Sequence, residues 1–156
     1  MKKIDYPALP RCIGIVGSRS FDEYLNGAQK VRENIDTFVR NLAPGTLIVS
    51  GGARGVDRWA FEAADAYKLP TRVFLPSPDY PVPARFFIRN SEVVACVQAH
   101  EGLIAAFIDV DDCNGTADTI KKALAAELPV MIFKYKQDGK FLGWVDKSIW
   151  SLTNQN

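Results

Sequence analysis

Short apolar runs alternate with longer amphipathic stretches along most of this chain. Continuous apolar runs occupy positions 12–16, 46–49, 102–108 and 130–133, and positions 71–75, which begin with Thr71 and Arg72, are a further predicted strand. Uninterrupted runs of this length are typical of strands that are covered on both faces of a sheet. Between them, apolar residues recur at helical spacing within 25–42, 56–67, 84–98 and 120–128. The pattern predicts strands and helices in alternation.

This alternation predicts the fold class. Each strand and the helix after it occupy roughly 25 to 35 residues, which implies βαβ crossovers between parallel strands. Asp138 and Gly139 indicate a hairpin turn that adds positions 141–145 at the sheet edge. We therefore expect an α/β fold, a three-layer sandwich around a mostly parallel sheet of five or more strands. Residues 1–11 are expected to form an N-terminal arm and residues 12–156 a single domain.

The turn after the second predicted strand is rich in glycine. It consists of Ser50, Gly51, Gly52, Ala53, Arg54, Gly55, Val56 and Asp57. A strand-to-helix turn aims unpaired amide N–H groups and the positive end of a helix dipole at one point, which suits an anion. A tight connection that needs glycine only for packing is the alternative. Arg54 and Asp57 favour ligand binding, because a packing turn needs neither.

Two further turns are expected to join this one. In open parallel sheets the ligand crevice lies outside the carboxyl ends of the strands, at the switch point of the strand order. The turns after the first, second and fourth strands should therefore converge. This convergence would bring together Gly17, Ser18, Arg19, Gly51, Gly52, Arg54, Asn114, Gly115 and Thr116. The proline-rich loop 76–83 is a candidate wall of the crevice, and Arg89 on the next helix can add a third guanidinium for phosphate.

Composition narrows the function classes. The 156 residues carry a net charge of +1, which argues against wholesale wrapping of nucleic acid but leaves a local basic patch open. The three cysteines are far apart and the lone His100 has no metal-ligand spacing, so we expect a reducing compartment and no metal. The longest apolar run, 103–108, is too short to span a membrane. A soluble, cytoplasmic protein is expected.

Several kinds of chemistry remain open or are disfavoured. The glycine turns lack the lysine of a P-loop, and the spacing of Gly14 and Gly17 differs from that of a dinucleotide fingerprint. Acidic residues that could act on a substrate are Asp57, Asp109, Asp111, Asp112 and Asp118, although loop acids are usually solvated. The aromatic residues Tyr80, Phe86, Phe87, Trp144 and Trp150 could stack a base or pack in the core. Trp144 and Trp150 also indicate a homo-oligomer contact.

Four motifs together resemble the SLOG superfamily of Rossmann-like nucleotide-binding domains. They are Ile-Val-Gly-Ser-Arg at 15–19, Val-Ser-Gly-Gly-Ala-Arg-Gly-Val-Asp at 49–57, Arg-Asn at 89–90 and Gly-Thr-Ala-Asp-Thr at 115–119. The likeness runs from about residue 12 to residue 133. Within the superfamily, the chain resembles the small stand-alone bacterial and phage proteins of the YspA and YpsA-related type.

The resemblance implies a nucleotide or nucleotide-derived ligand, such as an ADP-ribose-like molecule or a purine nucleoside phosphate. Two alternatives come from relatives. The cytokinin-activating phosphoribohydrolases cleave an N-glycosidic bond with an arginine and a glutamate; Arg89 matches that arginine, whereas Thr119 occupies the glutamate position. The DNA-processing protein, which loads recombinase on single strands, is similar in its Gly-Ser-Arg turn and implies single-stranded DNA. No cofactor is expected, and the catalytic residues stay open.

The ligand-binding residues predicted from the turns and the resemblance together form one set. They are Gly17, Ser18, Arg19, Ser50, Gly51, Gly52, Ala53, Arg54, Gly55, Asp57, Arg89, Asn90, Asn114, Gly115 and Thr116. In this set, backbone amides hold phosphate, the arginines clamp it, and Asp57 binds a ribose hydroxyl or fixes the turn.

Overall fold

The structure is a computed structural model that describes residues 9–23 and 25–146. Most of the predicted N-terminal arm and Trp150 lie outside these residues. Within them the sheet has six strands in the order β3-β2-β1-β4-β5-β6. The strands are β1 (Cys12–Gly17), β2 (Leu47–Ser50), β3 (Thr71–Val73), β4 (Leu103–Asp109), β5 (Val130–Tyr135) and β6 (Phe141–Asp146). The first five are mutually parallel and β6 is antiparallel to β5, which confirms the predicted α/β fold.

Four helices cover the two faces of the sheet. They are α1 (Leu25–Arg40), α2 (Val56–Ala66), α3 (Ala84–Ala99) and α4 (Asn114–Ala125), and a short 3₁₀ helix at Ser20–Glu23 follows β1. Helices α1 and α2 pack in one hydrophobic cluster, and α3 and α4 pack in the other. The molecule is thus a three-layer sandwich with a core on each side of the sheet.

Central strand β4 shows why the apolar runs are continuous. Alternate residues of a strand point to opposite faces. Leu103 and Phe107 join the cluster under α1 and α2, whereas Ile104 joins the cluster under α3 and α4. The Phe107 ring stacks on Phe133 of β5 with ring centroids 4.6 Å apart. Both faces of the strand are therefore buried, and no polar position interrupts the run.

The switch point lies between β1 and β4. The chain leaves β1 for β2 and β3 on one side and then returns to β4 on the other. Gly17 at the end of β1 is opposite Phe107, and a methyl group on Gly17 would overlap with the Phe107 carbonyl and the Val56 side chain. Glycine therefore lets the start of α2 approach the end of β1 closely. The crevice opens at this end of the sheet.

Two details differ from the sequence expectations. Strand β3 has three residues rather than five, all of them exposed at the sheet edge. Phe87, which helical spacing predicts to point inward, is 44% exposed. Trp144 is partly buried, and its ring stacks 6.3 Å from that of Phe133 in β5, so the predicted oligomer contact through the tryptophans stays a prediction. No helix among the described residues is long and apolar enough to cross a membrane.

Candidate functional site

The turn after β1 is fastened to the end of β4 by hydrogen bonds. The Ser18 N–H donates to the Phe107 carbonyl at 3.1 Å, and the Ser18 hydroxyl accepts from the Asp109 N–H at 2.9 Å. The Ser20 hydroxyl donates to the fully buried carboxylate of Asp109 at 2.8 Å. These serines hold the loop in position, and Arg19 between them stays exposed.

The glycine turn after β2 is fixed in the same manner. The Ser50 hydroxyl donates to the Ile15 carbonyl at 2.7 Å, and the Asp57 carboxylate accepts from the Ala53 N–H at 3.1 Å. Gly52 and Gly55 have φ values of +71° and +79°, a region that other residues rarely adopt. The turn therefore needs glycine for its backbone at these two positions.

Buried Asp57 and partly buried Arg89 form the charged inner part of the site. Asp57 is 5% exposed, and burial raises the pKa of its carboxyl to about 6, although the Ala53 N–H and the nearby Arg89 oppose the rise. Burial lowers the pKa of the Arg89 guanidinium, the negative charge of Asp57 opposes this, and the positive charge of Arg19 lowers the pKa further. Arg89 thus has one opposite and one like charge as neighbours at the site.

The start of α4 is open toward the crevice. Asn114, Gly115 and Thr116 are the first three residues of the helix, so the N-cap is Cys113 rather than the predicted Asn114 turn. The Cys113 side chain makes no capping hydrogen bond. A methyl group on Gly115 would meet no atom within 4 Å. Packing in the described part of the chain thus does not require glycine at position 115.

Asn90 connects α3 to α4, because its amide group makes hydrogen bonds within the chain. Its side chain is 7% exposed. The amide oxygen accepts from Arg89 Nε at 3.0 Å, and the amide nitrogen donates to the Asp118 carboxylate at 3.0 Å and to the Gly115 carbonyl at 3.4 Å. Asn90 therefore holds the start of α4 and Arg89 in a fixed relation.

One cavity of about 490 Å³ lies at the switch point. Most of the predicted binding residues line it: Gly17, Ser18, Arg19, Gly51, Ala53, Arg54, Asp57, Arg89, Asn90, Asn114, Gly115 and Thr116. Ser50, Gly52 and Gly55 are not among the lining residues. Ser50 is buried against β1, Gly52 lies beside Leu75, and Gly55 lies beside the Ser18 carbonyl. These three shape the turn from behind.

Other lining residues lie outside the predicted phosphate-binding set, although the sequence had named the loop 76–83 as a wall of the crevice and Phe86 and Phe87 as possible base-stacking rings. They include Glu23, Pro83, Phe86, Phe87, Val93, Cys113 and Thr119. Phe86, Asn90 and Val93 follow one another at steps of four and three residues, so helical spacing from Asn90 could have identified this wall. Thr119, at the glutamate position of the phosphoribohydrolases, lines the cavity and is 2% exposed. It brings no acid to the site.

The charges at the cavity rim are unevenly paired. Arg54 forms a salt bridge of 3.2 Å with Glu23, and both side chains are about half exposed. Among the described residues, no carboxylate lies within salt-bridge distance of Arg19. The same residues contain no group of three His, Cys, Asp or Glu side chains that could hold a metal ion. Arg19 is therefore the cation most available to an anionic ligand.

Fold and crevice together define a Rossmann-like α/β protein with a cationic, glycine-lined cavity at the switch point of its sheet. Residues 5–108 match the family model described as DNA recombination-mediator protein A. The chain therefore belongs to the DNA recombination-mediator protein A family. This membership confirms the resemblance to the SLOG superfamily that the sequence motifs indicated.

A solved structure shows the same fold. The chain is similar to the X-ray structure of DNA processing protein A from Streptococcus pneumoniae, with a TM-score of 0.54 and 19% sequence identity. The likeness covers 81% of this chain and 50% of that chain, so the chain spans about half the length of its structural relative. At this identity the likeness establishes the fold alone. None of the curated proteins compared with the chain matches it significantly.

Proposed function

We propose that the cavity binds a nucleotide or nucleotide-derived ligand through its phosphate. The observation that carries this proposal is the convergence of Arg19, Arg89 and the uncapped start of α4 on one cavity. Amide N–H groups at a helix start and guanidinium groups both bind phosphate well, the first through unpaired donors and the second through paired hydrogen bonds. Gly115 leaves room beside the amides of that first turn.

The cavity also fits the size and chemistry of such a ligand. Small-molecule sites usually enclose roughly 300 to 1,000 Å³, and this cavity encloses about 490 Å³. Its lining combines cationic, glycine and apolar residues, which suits a molecule with a phosphate and an aromatic base. An ADP-ribose-like molecule or a purine nucleoside phosphate has both parts.

The finer assignment to the YspA and YpsA-related type belongs to the same proposal. It is supported by the motifs at 15–19 and 49–57, both of which border the cavity. A single domain over 12–156, a cytoplasmic location and self-association stay predictions that rest on the length, composition and tryptophans of the sequence.

A thermal-shift screen against nucleotides and their derivatives tests the proposal. A ligand at a hundred times its dissociation constant adds about 2.7 kcal/mol to the free energy of unfolding. For a chain of this size the melting temperature should then rise by about 5 to 10 °C. Arg19→Ala should abolish most of the shift, whereas Arg11→Ala, at an exposed arginine outside the cavity, should preserve it. A flat response across the panel would refute the proposal.

Single-stranded DNA is a second candidate ligand, and family membership is the observation that favours it. In this alternative the same cations hold the phosphodiester backbone of a strand. Such binding weakens steeply as salt rises, because each neutralised phosphate releases condensed counterions. A free nucleotide with one phosphate makes fewer ionic contacts, so its affinity should depend less on salt.

A length series of oligodeoxynucleotides separates the two candidates. If DNA is the ligand, affinity should grow with length over several nucleotides, and the joint replacement of Arg19 and Arg54 by alanine should weaken it. Affinity that already saturates with a mononucleotide would favour the small-molecule ligand. DNA affinity that survives the double replacement would mean that any strand binds elsewhere on the chain.

A further inference from the structure

One wall of the cavity is apolar, and binding of a phosphate group does not account for it. Pro83, Phe86, Phe87 and Val93 line the cavity at and after the start of α3. Phe86 and Arg89 are three residues apart on this helix, which places their Cβ atoms about 5 to 6 Å apart on adjoining faces. The apolar wall therefore begins within one helical turn of a guanidinium that the proposed phosphate site uses.

Phe87 is the most exposed ring of this wall. It is 44% exposed while it lines the cavity. Lys122 of α4 holds it from one side: Nζ lies 5.7 Å from the ring centroid and donates to the Phe87 carbonyl at 2.7 Å. Lys122 is itself paired with Asp118 at 2.8 Å. The ring is thus fixed in place by the neighbouring helix and yet remains accessible.

Exposure alone does not mark a base-binding ring on this protein. Tyr80 is 47% exposed and does not line the cavity. Phe87 differs because it is exposed, contacts Lys122 of the neighbouring helix and lines the same cavity as Arg19 and Arg89. An accessible aromatic ring next to a phosphate site has the geometry that base stacking uses in nucleotide and single-strand recognition.

We infer that Phe87, supported by Phe86, forms a subsite that stacks the base of the ligand whose phosphate is held near Arg19 and Arg89. The inference rests on the proposed function and deepens it, because it makes the base, and not only the phosphate, part of what is recognised. Stacking is tolerant of base identity, since every base has a π face. The subsite therefore selects nucleotides over sugar phosphates rather than one base over another.

Calorimetric titration of the full chain with three probes tests the subsite. The probes are adenosine 5′-monophosphate, ribose 5-phosphate and inorganic phosphate. Stacking on one ring should make the wild-type chain bind the nucleotide about 5- to 150-fold more tightly than ribose 5-phosphate. Phe87→Ala should remove most of that preference and leave the affinity for ribose 5-phosphate unchanged. Phe87→Tyr, which keeps a ring, should restore it.

Tyr80→Ala is the matched control, because it removes an equally exposed ring outside the cavity and should leave all three affinities unchanged. Equal binding of adenosine 5′-monophosphate and ribose 5-phosphate by the wild-type chain would overturn the base subsite but not the phosphate site. Equal losses for both probes in Phe87→Ala would overturn it as well. Failure of all three probes to bind would overturn the subsite together with the proposed function.

Discussion

The Arg89 guanidinium lies against the backbone of Gly51, and its Nη1 donates a hydrogen bond of 2.6 Å to the Gly51 carbonyl. This contact joins α3 to the turn after β2 and places a partly buried cation at the cavity. A methyl group on Gly51 would lie 2.5 Å from Nη1 and 2.8 Å from Cζ. Because Gly51 is not among the residues with positive φ, glycine serves here to admit Arg89 rather than to bend the chain.

Gly51→Ala should therefore displace Arg89 and lower both stability and ligand affinity. The added methyl group forces the guanidinium away from the carbonyl, so a partly buried hydrogen bond is lost. Because Arg89 is a flexible side chain that can move aside, we expect the free energy of unfolding to fall by only about 1 kcal/mol. Urea unfolding of the variant and the wild type measures the change. A variant as stable as the wild type would show that Arg89 does not need this contact.

Gly115→Ala should lower ligand affinity without lowering stability. Its methyl group would enter open space at the first turn of α4, so stability should stay the same or rise by up to about 1 kcal/mol. The same methyl group would take up room beside the amides proposed to hold phosphate, so nucleotide affinity should fall several-fold. Urea unfolding and calorimetry on one preparation test both effects. Undiminished affinity in this variant would place the phosphate away from α4.

Asn90→Ala should destabilise the fold. It leaves Arg89 Nε and the Asp118 carboxylate without their amide partner at a position that is 7% exposed. Loss of hydrogen bonds at such a position costs about 1 to 3 kcal/mol. Asn41→Ala is the control, since the Asn41 amide bonds the Thr37 carbonyl at an exposed site and its loss should change stability little. Equal stabilities for the two variants would contradict the role of Asn90 as the connection between α3 and α4.

Asp57 should give the stability of this protein a pH dependence between its unfolded and folded pKa values. Burial raises the pKa from 3.8 to about 6, so between these values the folded chain binds one more proton than the unfolded chain. The contribution of Asp57 therefore falls as pH rises through this window, and by pH 7 the buried carboxylate costs up to about 3 kcal/mol.

Asp57→Asn removes this titration. The free energy of unfolding of the wild type minus that of the variant should fall between pH 4 and pH 7 and level off above it. Urea unfolding at intervals of half a pH unit measures the difference. A difference that is constant with pH, or that rises, would mean that the carboxyl does not lose solvation on folding.

The alternation of strands and helices and the place of the crevice were predictable because they follow from one-dimensional patterns. Runs such as 12–16 and 102–108 have no polar interruption, and the alternation of strands and helices leaves few topologies. Those patterns also predicted that the turns after β1, β2 and β4 would meet. The shortness of β3 was not predictable, since an exposed edge strand lacks the burial that would fix its ends.

Side-chain roles within the turns were harder to predict, because they depend on contacts between residues distant in sequence. Gly51 and Gly52 are adjacent and chemically identical, yet one admits Arg89 and the other bends the chain beside Leu75. Phe87 has the helical spacing of a core residue and is nevertheless exposed at the cavity. No local pattern distinguishes these cases.

A crystal structure of the chain with adenosine 5′-monophosphate shows whether the cavity holds a phosphate, because this molecule is itself a purine nucleoside phosphate and is a part of ADP-ribose. We predict that the phosphate lies within about 3 Å of an amide nitrogen of the first turn of α4 and of the Arg19 guanidinium. A phosphate bound on another surface, with this cavity holding only solvent, would contradict the account.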